Sequence, residues 1–123
     1  MDLDLIRNKI RNIPDFPKAG IQYKDITPVL QDHVIFKKTI NLFYNKFNKK
    51  NIDVIVGIES RGFIFAAPLA LKLGCSFVLA RKKGKLPHNT VSQNYELEYG
   101  TDTLEMHTDA IQSGQNILII DDL

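Results

Sequence analysis

One stretch of the chain decides the class of fold. Val54-Ile55-Val56 is a β-branched run without polar alternation, the pattern of a strand buried on both faces. Gly62 to Leu73 follows as a nearly all-apolar helix, closed by Gly74 as a C-cap and carrying Pro68 as an interior cost. Ser76 to Ala80 reads as a second buried strand. Strand, helix and strand in so short a span form a βαβ unit, which requires parallel pairing through a right-handed crossover. Ile117-Leu118-Ile119-Ile120 supplies a third core strand, so the expected fold class is α/β with a parallel sheet.

The flanking segments have other textures. Leu3, Ile6, Ile10 and Ile13 recur at helical spacing and predict a short amphipathic helix, ended by Pro14-Asp15-Phe16-Pro17. From there to Pro28 the chain reads as an ordered loop. Phe36, Ile40, Phe43, Tyr44 and Phe47 form the apolar face of a second helix, and Lys37, Lys38, Lys46 and Lys49 its solvated face. Val91, Gln93, Tyr95, Leu97 and Tyr99 alternate with Ser92, Asn94, Glu96 and Glu98. With a turn at Gly100-Thr101-Asp102 and return through Thr103–His107, this predicts an antiparallel hairpin appended to the parallel sheet.

Composition excludes several classes of function. The 123 residues suit one domain, and a net charge of +2 gives no case for nucleic acid or an anionic membrane. No apolar run approaches the ~20 residues of a membrane helix, and the acidic start Met1-Asp2-Leu3-Asp4-Leu5 is unlike a secretory leader. A soluble, cytoplasmic chain is expected. Cys75 alone builds neither a disulfide framework nor a cysteine zinc site, and opening a buried strand it reads as core. His33, His88 and His107 lack ligand spacing, so no direct metal site is expected.

Three features fall at strand ends, where α/β proteins bind ligands. Gly57-Ile58-Glu59-Ser60-Arg61-Gly62-Phe63 joins a strand to a helix and either cradles an anion, with Arg61 as a planar donor, or simply caps the helix. Arg81-Lys82-Lys83-Gly84-Lys85-Leu86-Pro87 concentrates cations that favour a bound polyanion or an open solvated loop, and its position favours the anion. Asp121-Asp122 pairs carboxylates that suit sugar hydroxyls or water on Mg²⁺, although adjacent Asp residues also begin ordinary turns. Neither G-x-x-x-x-G-K-[ST] nor G-x-G-x-x-G occurs, against a standard nucleotide kinase or dehydrogenase.

Five separated motifs together resemble one family. Ile13-Pro14-Asp15-Phe16-Pro17 with Gly20 and Tyr23-Lys24-Asp25-Ile26, Glu59–Phe63, Arg81–Pro87, Tyr95-Glu96-Leu97-Glu98-Tyr99-Gly100 and Ile119–Leu123 are similar, in order, to the adenine phosphoribosyltransferases. The resemblance covers essentially the whole chain. It implies the type I phosphoribosyltransferase fold and the reaction of adenine with phosphoribosyl pyrophosphate to give AMP and pyrophosphate, with Mg²⁺ held through substrate and water near Asp121 and Asp122.

Position by position, the resemblance implies that Ser60, Arg61 and Gly62 hold pyrophosphate, in a loop with a cis peptide before the serine. Arg81, Lys82 and Lys85 face the same group. Asp121 and Asp122 contact ribose, while Ile21, Gln22, Tyr23, Lys24 and Leu123 surround adenine. Glu98 and Arg61 are the expected catalytic residues, and Tyr95 and Tyr99 belong to a flap over about 86–107. Residues 1–123 would form one domain, with the N-terminal helix and adenine loop in 1–30 and a partial α/β core in 31–123.

In that family a leucine, an alanine and a T-G-G-T run follow the acidic pair and grip the 5′-phosphate, whereas this chain stops at Leu123. An N-terminal portion, poorly active or inactive alone and homodimeric when complete, is therefore expected. The alternatives are a non-catalytic nucleotide-binding regulator or a degraded fragment of the same fold.

Overall fold

The computed structural model describes residues 2–97 and 100–122, so Glu98, Tyr99 and Leu123 lie outside the described residues. Two compact units divide the chain, Met1–Asn45 and Lys46–Leu123.

In the first unit, α1 (Asp2–Lys9) is followed by β1 (Arg11–Pro14) and β2 (Gln22–Asp25). The helix stops short of the expected Ile13. Pro14 biases Ile13 toward extended angles, and β1 gains an antiparallel partner from Arg11↔Asp25 to Pro14↔Gln22. The segment expected as loop thus contains a strand, because pairing depends on a partner that local periodicity does not show. Its connection is tied by Asp15 Oδ1, which accepts the Gly20 N–H at 2.8 Å, and by an edge-on contact of the Phe16 and Tyr23 rings at 5.1 Å.

Asp25 Oδ1 accepts both the Thr27 N–H and hydroxyl, at 2.9 and 2.7 Å, and opens α2 (Thr27–Gln31). Asp32 Oδ1 takes the Val34 and Ile35 N–H groups at 3.1 and 3.2 Å, which starts α3 (His33–Phe47) earlier than the first apolar-periodic residue, Phe36. Ile26, Val29, Ile35 and Ile40 are buried.

The second unit contains β3 (Val54–Ile58), α4 (Arg61–Leu73), β4 (Ser76–Lys82), β5 (Thr90–Leu97), β6 (Gly100–His107) and β7 (Ile117–Ile120), with sheet order β5-β6-β4-β3-β7. β3 pairs in parallel with both β4 and β7, as expected of a βαβ unit, but of the three strands only β3 is buried on both faces: Leu79 on β4 and Ile119 on β7 are exposed, because no described element covers them. α4 buries Gly62, Phe65, Ala66, Leu69 and Ala70, a single stripe at helical spacing. Close approach to β3 depends on Gly57, where a Cβ would lie 2.8 Å from Phe77 Cε1 and 2.9 Å from Ala66 Cβ. Gly74 ends the helix in the left-handed conformation, φ 74°. Val54, Val56 and Ala80 form a buried cluster with Ile58, Val78 and Met106 against it.

The hairpin β5–β6 is present, but Leu97 pairs with Gly100, so Gly100–Asp102 belong to the strand and not to the turn. β4 continues past Ala80 to Lys82 because Arg81 and Lys82 pair antiparallel with Glu105 and Leu104 of β6. The antiparallel hairpin therefore grows directly from the end of a parallel core strand.

Candidate active site

Parallel pairing brings the carboxyl ends of β3, β4 and β7 level, with Gly57 opposite both Leu79 and Ile120. Three loops leave the sheet there. The β3–α4 turn carries Glu59, Ser60 and Arg61, and the Glu59–Ser60 peptide bond is cis, as the resemblance implies. Ser60 occupies the N-cap position of α4.

The N-cap of α4 makes no side-chain hydrogen bond, and Glu59 turns instead to the basic run. Its Oε1 accepts Arg81 Nε–H and the Lys82 backbone N–H, each at 3.0 Å, and its own N–H donates to Ala80 O at 2.9 Å. The Lys82 N–H and then Arg81 hold the Glu59 carboxyl below its ordinary range despite some desolvation, and Lys85 adds to the positive field. One carboxylate thus braces the first two members of the basic run and fixes them beside the Ser60 turn.

Across the sheet, Arg61 Nη2 lies 2.5 Å from Asp122 Oδ2. That oxygen is buried and takes no hydrogen bond, so the contact is an ion pair whose N–H groups are out of line. Asp121 Oδ1 accepts the Asp122 N–H at 2.8 Å. Asp121 remains exposed as a residue, yet partial loss of water raises its carboxyl, and the neighbouring Asp122 raises it further against the opposing pull of Arg61. Gly62 permits this proximity: a Cβ there would stand 2.9 Å from Ile120 O and 3.1 Å from Asp121 Cα.

The hairpin adds a third group. Tyr95 and Asp102 are paired across β5 and β6, and Tyr95 donates its hydroxyl to Asp102 Oδ2 at 3.3 Å. Lys82 Nζ lies 3.3 Å from the same oxygen. Gly84 donates its N–H to Glu105 Oε1 at 2.9 Å, which anchors the turn before Lys85 to β6.

The structure therefore gathers Ser60, Arg61, Gly62, Arg81, Lys82, Asp121 and Asp122 at adjoining strand ends. Lys85 is within electrostatic reach of Glu59, and Tyr95 of Asp121. Ile21 precedes β2, and Gln22, Tyr23 and Lys24 lie on it, within the first unit. Glu98, Tyr99 and Leu123 fall outside the described residues. Sequence reading missed Glu59 and Asp102 as braces of basic residues. Neither lies beside the basic run in the chain, their partner Lys82 being 23 and 20 residues away, so no local signal could have found them.

Cations at the end of β4 and the start of α4 face adjacent carboxylates past β7 across β3, with the antiparallel hairpin beyond β4, which makes these strand ends a candidate site for a phosphorylated sugar. A family model described as phosphoribosyl transferase domain matches residues 25–123. The adenine phosphoribosyltransferase of Haemophilus influenzae is 56% identical over 121 residues, and that of Aliivibrio salmonicida 53% over 121, each match covering 98% of this chain and 67% of the relative. The chain thus spans about two thirds of the length of these relatives. Among solved structures, adenine phosphoribosyltransferase from Thermoanaerobacter pseudethanolicus aligns with a TM-score of 0.93 at 52% identity, covering 98% of this chain and 70% of that one. The Saccharomyces cerevisiae enzyme, solved with adenine and an imino-altritol bisphosphate, aligns at 0.88 and 39%, covering 96% and 69%. With these motifs in this order on this sheet, the chain belongs to the adenine phosphoribosyltransferases, a family within the phosphoribosyl transferase domains.

Proposed function

We propose that the protein transfers the 5-phosphoribosyl group from phosphoribosyl pyrophosphate to adenine, giving AMP and pyrophosphate, a step of purine salvage. The observation that carries this reading is that Arg61 pairs with Asp122 while Glu59 braces Arg81 and the Lys82 backbone, at the adjoining carboxyl ends of β7, β3 and β4.

Displacement at the anomeric carbon gives the sugar oxocarbenium character while negative charge builds on the departing pyrophosphate. Arg61, Arg81, Lys82 and Lys85, with Ser60 and Gly62 in the turn, would stabilise that leaving group. Asp121 and Asp122 would hold the ribose hydroxyls and sit near the developing positive charge. Ile21, Gln22, Tyr23, Lys24 and Leu123 would bind adenine, with the Tyr23 ring on the purine. Glu98 would handle the proton of the base, and Tyr95 and Tyr99 would help the flap exclude water.

The residues fit Mg²⁺ as a shared rather than a caged ion. Among the described residues no three His, Cys, Asp or Glu side chains form a ligand group, while Asp122 Oδ2 is buried without a hydrogen bond and Asp121 offers a second hard oxygen. An ion that keeps water and substrate oxygens suits such a pair. When bound it would neutralise charge on the pyrophosphate. No helix among the described residues is long and apolar enough to cross a membrane. A cytoplasmic homodimer is the assembly that the resemblance supports.

The test is formation of AMP from adenine and phosphoribosyl pyrophosphate by this chain and by one extended with the C-terminal residues of its Haemophilus influenzae relative. The extended chain should turn over, with Arg61→Ala and Glu98→Gln each reducing kcat far more than Cys75→Ser. Equal activity of all three variants would refute the role assignments. Full activity of the 123-residue chain would show that the site needs nothing beyond Leu123.

A further inference from the structure

Lys82 stands at the junction of the core sheet and the flap hairpin. Its backbone pairs with Leu104 of β6, so its side chain shares a face with Leu104 and, one pleat on, with Asp102 and the paired Tyr95. Asp102 fills all of its obvious accepting positions locally. Oδ1 takes the Thr103 N–H at 2.8 Å, and Oδ2 receives the Tyr95 hydroxyl at 3.3 Å and lies 3.3 Å from Lys82 Nζ. The Thr103 N–H, followed by Lys82, keeps Asp102 ionised below its ordinary range, and its hydrogen bond to Lys82 raises that ammonium in turn. The Lys82 side chain is 53% exposed and Asp102 26%, so the ammonium can be reached by a competing anion without opening a core.

We propose that Asp102 is a positioning residue that holds Lys82 on the flap, and that a diphosphate entering the site competes with Asp102 for the same ammonium. This rests on the reading of the basic cluster as a pyrophosphate site. Lys82 is then shared: held by the hairpin while the site lacks an anion, and transferred from Asp102 to phosphate oxygen when pyrophosphate arrives. The exchange frees the Asp102–Tyr95 pair from the core strand and links occupancy of the site to the position of the flap. The charges facing Lys82 are Asp102 and Tyr95 on the hairpin and Glu59 on the β3–α4 turn, with Asp121 acting on Tyr95 from beyond β7.

Calorimetric titration with inorganic pyrophosphate in Mg²⁺ buffer tests the exchange on the full 123-residue chain. Asp102→Asn removes the competitor and should tighten pyrophosphate binding about threefold, the scale of an exposed ion pair. Lys82→Met should weaken binding, and adding Asp102→Asn to it should change nothing further, because the competed group is gone. A second readout is the ionisation of Tyr95, followed by absorbance at high pH against a Tyr95→Phe control. Pyrophosphate should raise it in the parent chain, since Lys82 leaves its side, and Asp102→Asn should lower it. Unchanged or weaker pyrophosphate binding in Asp102→Asn, with the parent binding normally, overturns the exchange alone. Failure of the parent chain to bind pyrophosphate overturns the site reading and the exchange together.

Discussion

Arg61, the first residue of α4, reaches Asp122, just past the end of β7, with 2.5 Å between Nη2 and Oδ2. The two sides of this pair are unequal. Asp122 is 10% exposed and Arg61 29%, so each loses a different amount when the other is removed.

Arg61→Met leaves an ionised carboxylate buried without a countercharge and should destabilise the chain by about 2 kcal/mol. Asp122→Asn leaves a guanidinium that can turn toward water, so its cost should be smaller. Urea denaturation of both variants and of the double variant checks the asymmetry. Equal losses would show that the pair is held by packing and not by charge.

Gly62 is the point where helix and strand end come closest. In Gly62→Ala the new Cβ meets backbone atoms, Ile120 O at 2.9 Å and Asp121 Cα at 3.1 Å, which cannot rotate away. A cost of about 1–3 kcal/mol is expected, together with weaker pyrophosphate binding as Asp121 is displaced. Thermal denaturation with a parallel titration of pyrophosphate measures both.

Two carboxylates near the site give opposite dependences on pH. The folded state holds Glu59 below the ordinary 4.5, chiefly through the Lys82 N–H. Its stabilisation is complete above 4.5 and is lost as pH falls through the lower folded value. Asp121 is held above the ordinary 3.8 by desolvation and by Asp122, so its contribution is favourable below 3.8 and is lost as pH rises through the raised folded value. Glu59→Gln should therefore lose stability at pH 7 and flatten the acid limb, whereas Asp121→Asn should gain stability at pH 7. Denaturation midpoints from pH 3 to pH 7 read both signs.

Cys75 donates its Sγ–H to Ile52 O at 3.1 Å, and burial, with Asp53 nearby, pushes the thiol above its ordinary range. Alkylation by iodoacetamide at pH 8 should be slower than for a free thiol and should reach that rate only in urea. Rapid labelling of the folded chain would contradict this placement.

The βαβ core was legible because its signals are local. Val54–Val56 and Ser76–Ala80 lack alternation, and the stripe through Gly62, Phe65, Ala66, Leu69 and Ala70 has the period of a helix. The motif positions at strand ends followed from that topology. β1 and β2 were not legible, since each strand exists through the other: Arg11–Pro14 extends because Gln22–Asp25 pairs with it.

By itself, the sequence determined the parallel core, the appended hairpin and the residue types available for a phosphorylated sugar, all features carried by neighbours in the chain. Only the tertiary structure decided which charges meet: Glu59 with Arg81 and Lys82, Arg61 with Asp122, and Asp102 with Lys82. Electrostatic pairing falls off with distance in space, and separation along a chain does not report that distance until strands are placed in register.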